Sequence, residues 1–322
     1  MIARRTFLSS ALLTLTQGAG AQSSTTPWPN KPVKILVGFP PGQGSDIVAR
    51  IYAAELQKLF GQAFIVENKP GAGATIAAAE VARASADGYT IALTSSGPLT
   101  VAPHLYSNLP FDAMKDLEPI ALVGLSPLVL VVRSDFPANT LADLIKLASQ
   151  KDLTCGSGGN GVTNHLALEM LKVRSGSPLR HVPYKGSAPA LADLIGGVID
   201  VLFDTSSTTL PHLRSGRLRA LAVTSATRYS ELPQVPAVAE VFPGFEAVTW
   251  AMFVAPRGTP LELRELLAAQ LVKIMRQAEI KLKLMQNGVE ATPETSPQLA
   301  KAYALAEFEK WGRIIKQANV KI

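Results

Sequence analysis

Four short segments hold the residues whose types and spacing could do chemistry, and all are rich in glycine. The first is Phe39-Pro40-Pro41-Gly42-Gln43-Gly44-Ser45-Asp46, and the second is Asn68-Lys69-Pro70-Gly71-Ala72-Gly73-Ala74. The third is Thr94-Ser95-Ser96-Gly97, and the fourth is Gly156-Ser157-Gly158-Gly159-Asn160-Gly161-Val162-Thr163-Asn164. Three of them run directly into helix-forming sequence. A helix N-terminus presents unpaired N–H groups and the positive end of a dipole, so it attracts an anion. Glycine lets the backbone approach that anion closely. Ser95, Ser96, Ser157 and Thr163 add neutral hydroxyls. Together they predict a cleft that holds a carboxylate on neutral donors. Each loop taken singly is explained as well by a tight turn; the four together carry the reading.

Other chemistries fit these residues less well. Gly42-Gln43-Gly44-Ser45-Asp46-Ile47 lacks the third glycine of a dinucleotide fingerprint, and no Gly-Lys-Ser/Thr closes a phosphate loop. Gly156-Ser157-Gly158 is not a nucleophile elbow. The histidines at 104, 165, 181 and 212 have no metal-ligand spacing, so no metal or other cofactor is expected. His165, opening a helix beside the fourth turn, is the one that could line the cleft. Asp46 reads as a helix cap before a general base. Asp204 ends a strand and could face the cleft or simply make a turn. An enzyme, a hydrolase or decarboxylase using Asp46, His165 or Asp204, is the alternative to a binding protein.

The elements that must position these turns form a rhythm. Val33 to Phe39 is a short, β-branched apolar run, hence a buried strand. Ile47 to Phe60 follows with helical spacing, and Gly61 stops it. A strand at 63–66, a helix at 74–84 and a strand at 89–94 repeat the unit. Apolar strands alternating with helices predict an α/β protein with a mostly parallel sheet covered on both faces. The run 120–132 contains Gly124 and Pro127 and reads as two strands passing between two lobes. Further strands are expected at 153–156, 181–184, 198–204 and 218–224, with helices at 141–149, 164–173 and 189–195. Residues 248–255 form a return strand, and 260–285 and 297–318 two long closing helices. A first lobe of 22–126 plus 250–322 would carry an inserted second lobe, 127–249, with a hinge at the two crossings. Ligands of open α/β sheets sit beyond the carboxyl ends of the strands, which gathers the four turns around one cleft.

The chain has 322 residues, 47% hydrophobic and 17% charged, enough apolar material for two packed lobes. Its net charge of +6 comes without like-charge runs or interleaved aromatics, so no nucleic-acid partner is expected. Arg4-Arg5, an apolar stretch from Phe7 to Leu15, and Ala19-Gly20-Ala21 read as a secretory signal over 1–21. The same arginine pair resembles a twin-arginine signal. Its removal takes two arginines and no acid, so the charge falls from +6 to +4. A soluble periplasmic protein is expected. The single cysteine, Cys155, reads as a free buried thiol.

The series of motifs resembles the Bug (Bordetella uptake gene) family, solute-binding receptors of tripartite tricarboxylate transporters. It comprises Trp28-Pro29, Gly38-Phe39-Pro40-Pro41-Gly42, Asp46 with Ala49-Arg50, Val66-Glu67-Asn68-Lys69-Pro70-Gly71-Ala72-Gly73 and Ala86-Asp87-Gly88-Tyr89-Thr90. Val182-Pro183-Tyr184-Lys185-Gly186, Asp200-Val201-Leu202-Phe203-Asp204, Pro256-Arg257-Gly258-Thr259-Pro260, Trp311 and Lys316 continue it. The resemblance implies a type II periplasmic-binding-protein fold, two lobes closing on a small carboxylated solute. It also implies a membrane permease as partner and no catalysis; the receptor is expected to be a monomer. Phe39, Pro40, Gly42, Gln43, Gly44, Asp46, Gly73, Ala74, Ser95 and Ser96 would grip the solute from one lobe. Ser157, Gly158, Thr163, Asn164, His165 and Asp204 would grip it from the other. Gln43, Ala74, Cys155 and Val162 depart from the family pattern. Gln43 adds a side chain and Val162 removes a donor, which favours a single-carboxylate or less polar solute, an aromatic acid among them. A sensor reporting to a membrane kinase would share the same fold.

Overall fold

A computed structural model describes residues 28–320; the signal-peptide reading lies outside them. The first half of the chain builds β1 (Val33–Val37), α1 (Gly44–Phe60), β2 (Phe64–Asn68), α2 (Thr75–Ala82), β3 (Thr90–Thr94), α3 (Ala102–Leu105) and β4 (Leu117–Arg133). Then come α4 (Leu141–Ala148), β5 (Thr154–Ser157), α5 (Thr163–Ser175), β6 (Arg180–Pro183), α6 (Ser187–Gly196), β7 (Val201–Thr205), α7 (Ser206–Arg214) and β8 (Leu218–Val223). The chain closes with β9 (Val248–Pro256), α8 (Leu261–Arg276), α9 (Ala278–Gln286) and α10 (Pro297–Gln317).

The strands follow the order β2-β1-β3-β9-β4-β7-β5-β6, with β8 also pairing β4. β1 runs parallel to β2 and β3, and β5 parallel to β6 and β7. Every antiparallel pairing involves β4 or β9. The sheet is therefore mixed, two parallel sets joined through a pair of antiparallel strands. The expected pair of strands over 120–132 is instead one 17-residue strand, β4. Gly124 does not break it, because a Cβ there would collide with Val289; the glycine admits that contact. Pro127 sits where the partner changes: it opposes Val248 of β9, and Leu128 already opposes Thr205 of β7.

One other expectation needs correction, and one helix is new. The helix read over 260–285 is broken at Gln277, whose ψ of 129° is extended, so α8 and α9 are separate. Residues 206–214, to which the sequence reading assigned no element, form α7 with Pro211 within it.

Apolar side chains pack on both faces of each half. Val33, Ile35, Val37, Tyr52, Leu56 and Phe253 lie in one core. Leu128, Leu130, Val132, Leu166 and Phe203 lie in another, which also takes Trp311, Ile314 and Ile315 from α10. Burying one such side chain contributes about 1.5–3 kcal/mol. α10 thus anchors in the second core, while its Ala300 and Ala304 pack beside Trp250 and Met252 of β9.

Candidate functional site

The register fixes where the turns meet. β4 runs alongside β9 in the first half, then antiparallel to β7 from Leu128↔Thr205 onward. The carboxyl ends of β1, β2 and β3 therefore face those of β5, β6 and β7 across the middle of β4. The turns after these strands open α1, α2, α5, α6 and α7, which begin at this edge.

None of these five helices has a side-chain cap: the N-cap residues are Gln43, Ala74, Val162, Gly186 and Thr205. In contrast, α4 is closed by a Thr140–Asp143 capping box and α10 by the Ser296 hydroxyl. α8 and α9 are also uncapped, but α8 follows the far end of β9. The first-turn amides of a helix have no intrahelical acceptor. Five sets of such amides at one edge make an electropositive rim without a lysine or arginine.

The second turn is shaped for close approach. Gly71, Ala72, Gly73 and Ala74 have φ of 129°, 47°, 63° and 74°. Two of these are alanines held in the left-handed region, where a Cβ costs about 1–2 kcal/mol each. Ala74 packs its Cβ against Gly38, which has room for none of its own.

The side chains sort into those already used and those left over. Asp46 is buried and fully engaged. Its carboxylate accepts from Gly42 N–H at 2.8 Å, Arg50 Nε at 3.0 Å and Asn68 Nδ2 at 2.9 Å. Burial raises its proton affinity, but the hydrogen bonds from Arg50, Gly42 and Asn68 outweigh that and lower its pKa. It braces the first turn and is not placed to take a proton from a substrate. Gly42, Gln43 and Gly44 are exposed at its rim, as is Pro40, with Phe39 half-buried.

In the fourth turn, Ser157 is fully buried and donates to Gly159 O at 2.9 Å. Its Oγ also meets His181 Nε2 at 2.6 Å. A serine has one proton, so His181 is the donor in that pair and carries its hydrogen on Nε2. His165 is buried and its Nδ1 accepts from Gly161 N–H at 3.0 Å, which puts its own hydrogen on Nε2. The two imidazoles stack at 3.9 Å between centroids. Burial pulls both down to about 4; the Lys172 charge adds to it for His165, and the neighbouring His165 and Lys172 for His181. Two neutral rings thus clamp the turn from Ser157 to Gly161. His181 was not singled out in the sequence, because its partners lie 24 and 16 residues away with no periodic signal. Gly158 lies between this turn and the start of α6.

Ser96 and Thr163 are also used, on each other. Their hydroxyls lie 2.7 Å apart, joining the turn after β3 to the first residue of α5. Gly161 packs against Leu105 of α3, so close that a Cβ would sit 2.6 Å from Leu105 Cδ1. On the hinge side, Ser126 and Ser206 both donate to Gly288 O, at 2.7 and 2.8 Å. The two halves of the sheet are therefore in contact both at these turns and beside Gly288.

What is left over is informative. Ser95 and Asn164 are 7% exposed each, and neither side chain has a protein hydrogen-bond partner among the described residues. They come from opposite halves. Asp204 is completely buried; Oδ1 accepts from Ser187 Oγ at 2.6 Å and Thr205 N–H at 2.8 Å, and Oδ2 has no partner. Burial pushes its carboxyl above the usual range. Asp46, His165 and Asp204 form no mutual hydrogen bond; each serves its own loop.

Residues 48–320 match the family model described as the tripartite tricarboxylate transporter family receptor. The chain belongs to this receptor family. BugT of Bordetella pertussis is 34% identical over 312 residues, 95% of each chain. The structure of R. palustris Rpa4515 with adipate superposes with a TM-score of 0.84 at 34% identity, covering 91% of this chain and 99% of that one. MatC from Rhodopseudomonas palustris with bound malate superposes at 0.79 and 30% identity, covering 89% of this chain and all of that one. The architecture is thus the periplasmic-binding-protein fold that the sequence motifs implied.

Among the described residues, no group of three or more His, Cys, Asp or Glu side chains could hold a metal ion. No described helix is long and apolar enough to cross a membrane.

Proposed function

We propose that this chain is an extracytoplasmic receptor that captures a small carboxylate and presents it to the membrane permease of a tripartite transporter. The observation that carries this is the ring of five uncapped helix N-termini at one strand-end edge. It offers many N–H donors; of the cations in its turns, Lys69 is paired with Glu67 and Glu80, and Lys185 is exposed before α6. Such a site suits an anion that must be bound and later released intact. The receptor family and the neighbours bound to adipate and malate support the same class of solute. The chain is a binding protein, not an enzyme: Asp46, His165 and Asp204 make no hydrogen bond to one another.

The solute contacts come from both halves. Phe39, Gln43, Gly44, Gly73, Ala74 and Ser95 face it from the first, with Gly158, Asn164 and Asp204 opposite. Asp46, Ser157 and His165 shape these turns from behind, and Ser96 with Thr163 closes the cleft. The lobes divide as 22–126 plus 250–322 and 127–249; the change of β4 partner between Pro127 and Leu128 supports the boundary. α10 reaches from the first lobe into the core of the second. The amino-terminal signal reading supports export, and the receptor acts as a monomer.

Thermal-shift and calorimetric titration against adipate, malate, succinate, benzoate and phenylacetate tests this. At least one should raise the melting temperature and bind near micromolar, about −8 kcal/mol. No shift with any carboxylate would overturn it. A preference for benzoate or phenylacetate would fit the loss of a hydroxyl at Val162.

A further inference from the structure

Asp204 has a chemistry that the contacts above leave unexplained. It is 0% exposed, and Oδ2 is sealed from solvent without a partner. Both of its accepted hydrogen bonds fall on Oδ1. An ionised carboxylate with one bare oxygen in a dry site is costly. A carboxylic acid in the same place is not, because its proton sits on the oxygen that accepts nothing. Oδ2 then becomes a donor.

The position gives that donor a use. β5 and β7 are parallel neighbours, with Gly156 opposite Leu202. Asp204 therefore ends its strand beside Ser157 and Gly158, where α6 and α7 begin. This is the edge that offers amides to the solute. A second carboxylate brought there disfavours the charged form of Asp204 still further.

We infer that Asp204 is a specificity-determining residue that meets the solute carboxylate as a neutral acid, so that capture requires one proton on Oδ2. This rests on the carboxylate-receptor reading. The proton comes from solvent, stays on Oδ2, is shared as a hydrogen bond with the bound carboxylate, and returns to solvent when the solute leaves. No bond of the solute forms or breaks.

Burial acts in the same direction and outweighs the hydrogen bonds of Ser187 and Thr205 N–H and the nearby Thr208 hydroxyl, which donates to Thr205 O, so the Asp204 carboxyl is raised. Apart from Lys185, which is exposed two residues before Ser187, the charged groups on the surrounding elements are engaged or distant along the chain. On α6, Asp193 accepts from Tyr184 Oη at 2.8 Å. On α7, His212 and Arg214 lie in the last turn. Asp200, at the entrance to β7, is held by Thr154, and Arg133 ends β4 paired with Asp135. Arg219 of β8 donates to Phe136 O and Ala138 O. Lys185 precedes α6, and the fourth turn carries no ionic side chain.

The test is affinity for adipate and malate by calorimetry between about pH 6.5 and 9, in the full exported chain and in Asp204→Asn. His165 and His181 titrate near 4, well outside that window. Wild-type affinity should fall as pH rises, approaching about tenfold per pH unit once Asp204 ionises in the free protein. Titration in buffers of different ionisation enthalpy should there show uptake approaching one proton. Asparagine keeps an acceptor at Oδ1 and a donor at the second position. Its profile should be flat, and it should bind tighter than wild type at the alkaline end. A flat wild-type profile, or an Asp204→Asn variant that keeps the wild-type slope, overturns the proposal. If the asparagine variant does not fold, the wild-type profile decides alone. Binding of neither acid nor any other carboxylate at any pH would instead sink the receptor reading, and this proposal with it.

Discussion

The hydroxyl pair of Ser96 and Thr163 gives a sharp measurement. Thr163→Val keeps the shape of the side chain and deletes the oxygen. In the structure that oxygen lies 2.7 Å from Ser96 Oγ, and Ser96 is only 1% exposed. With the halves together, the variant strands the Ser96 hydroxyl without its partner and without water. Leaving a buried hydroxyl unpaired costs about 1–3 kcal/mol. When the halves part, both hydroxyls meet solvent and the variant costs nothing. The whole penalty therefore falls on the closed arrangement and appears in the solute affinity, about 5- to 30-fold for 1–2 kcal/mol. Ser96→Ala should cost a similar amount, since it strands Thr163. The double variant should cost little more than either single one, leaving a coupling of about 1 kcal/mol or more. Calorimetry with adipate, or with whichever carboxylate binds, measures the cycle. If the two losses add to within about 0.5 kcal/mol, the hydroxyls act independently on the solute and the clasp reasoning is wrong.

Four further outcomes follow from the same geometry. Ala74→Gly should stabilise by about 1 kcal/mol in urea unfolding, because Ala74 sits at φ 74°. Gly38→Ala should destabilise by about 1–3 kcal/mol through overlap with Ala74, and Ala74→Gly should rescue it only in part, since the backbone of Ala74 is close too. The stacked histidines should weaken the protein in acid. Their folded pKa values lie near 4, below the unfolded 6.5, so the unfolded chain binds protons first. Their contribution is complete above about pH 6.5 and is lost as pH falls towards 4, about 3 kcal/mol in total after screening of half-buried His181. Asp204 contributes with the opposite sign, so the test is the difference between wild type and His165→Asn, in which that contribution cancels. Asparagine can still accept from Gly161 N–H, and its melting temperature should fall less between pH 6.5 and 4; an equal fall refutes the assignment. Cys155 is buried with its thiol pushed up to about 12, so iodoacetamide at pH 8 should label it only on unfolding. Labelling of the native protein would show the core opening locally.

What was legible in the sequence was local. The strand, turn and helix rhythm rests on hydrophobic period and on glycine, and it placed the four turns at strand ends. Asp46 was read as a cap; it does brace the start of α1, though from its third residue and through Gly42. What was illegible depends on contacts distant in the chain. α7 begins Ser206-Ser207-Thr208-Thr209, which reads as a polar connection. Its hydroxyls are absorbed by Thr205 O and by Gly288 O, 82 residues away from Ser206. β4 was split on paper by Gly124 and Pro127, and only the positions of Val289 and β9 show that both residues suit one strand. Ser96 and Thr163 are 67 residues apart, and neither residue type announces the other. Their hydroxyls were flagged as solute donors, and nothing local announced that each would be the other's partner.

This sorting of donors has a consequence for how the receptor distinguishes full from empty. A solute shifts an equilibrium only by contacts that one state has and the other lacks. The Ser96–Thr163 and Gly161–Leu105 contacts belong to the closed arrangement and are made within the protein, so they bias closure equally for every solute. The signal must come from groups that the protein alone leaves unsatisfied on both sides. Those are Ser95 and the amides of α1 and α2 in one half, and Asn164, Asp204 Oδ2 and the amides of α5, α6 and α7 in the other. A molecule that satisfies one side only gains affinity without favouring closure. A carboxylate long or branched enough to reach both sides gains affinity and closes the cleft with the same contacts. Acetate should therefore bind, where it binds at all, without the compaction in small-angle scattering that adipate or malate produces. Equal compaction by acetate would show that closure needs no contact spanning the halves.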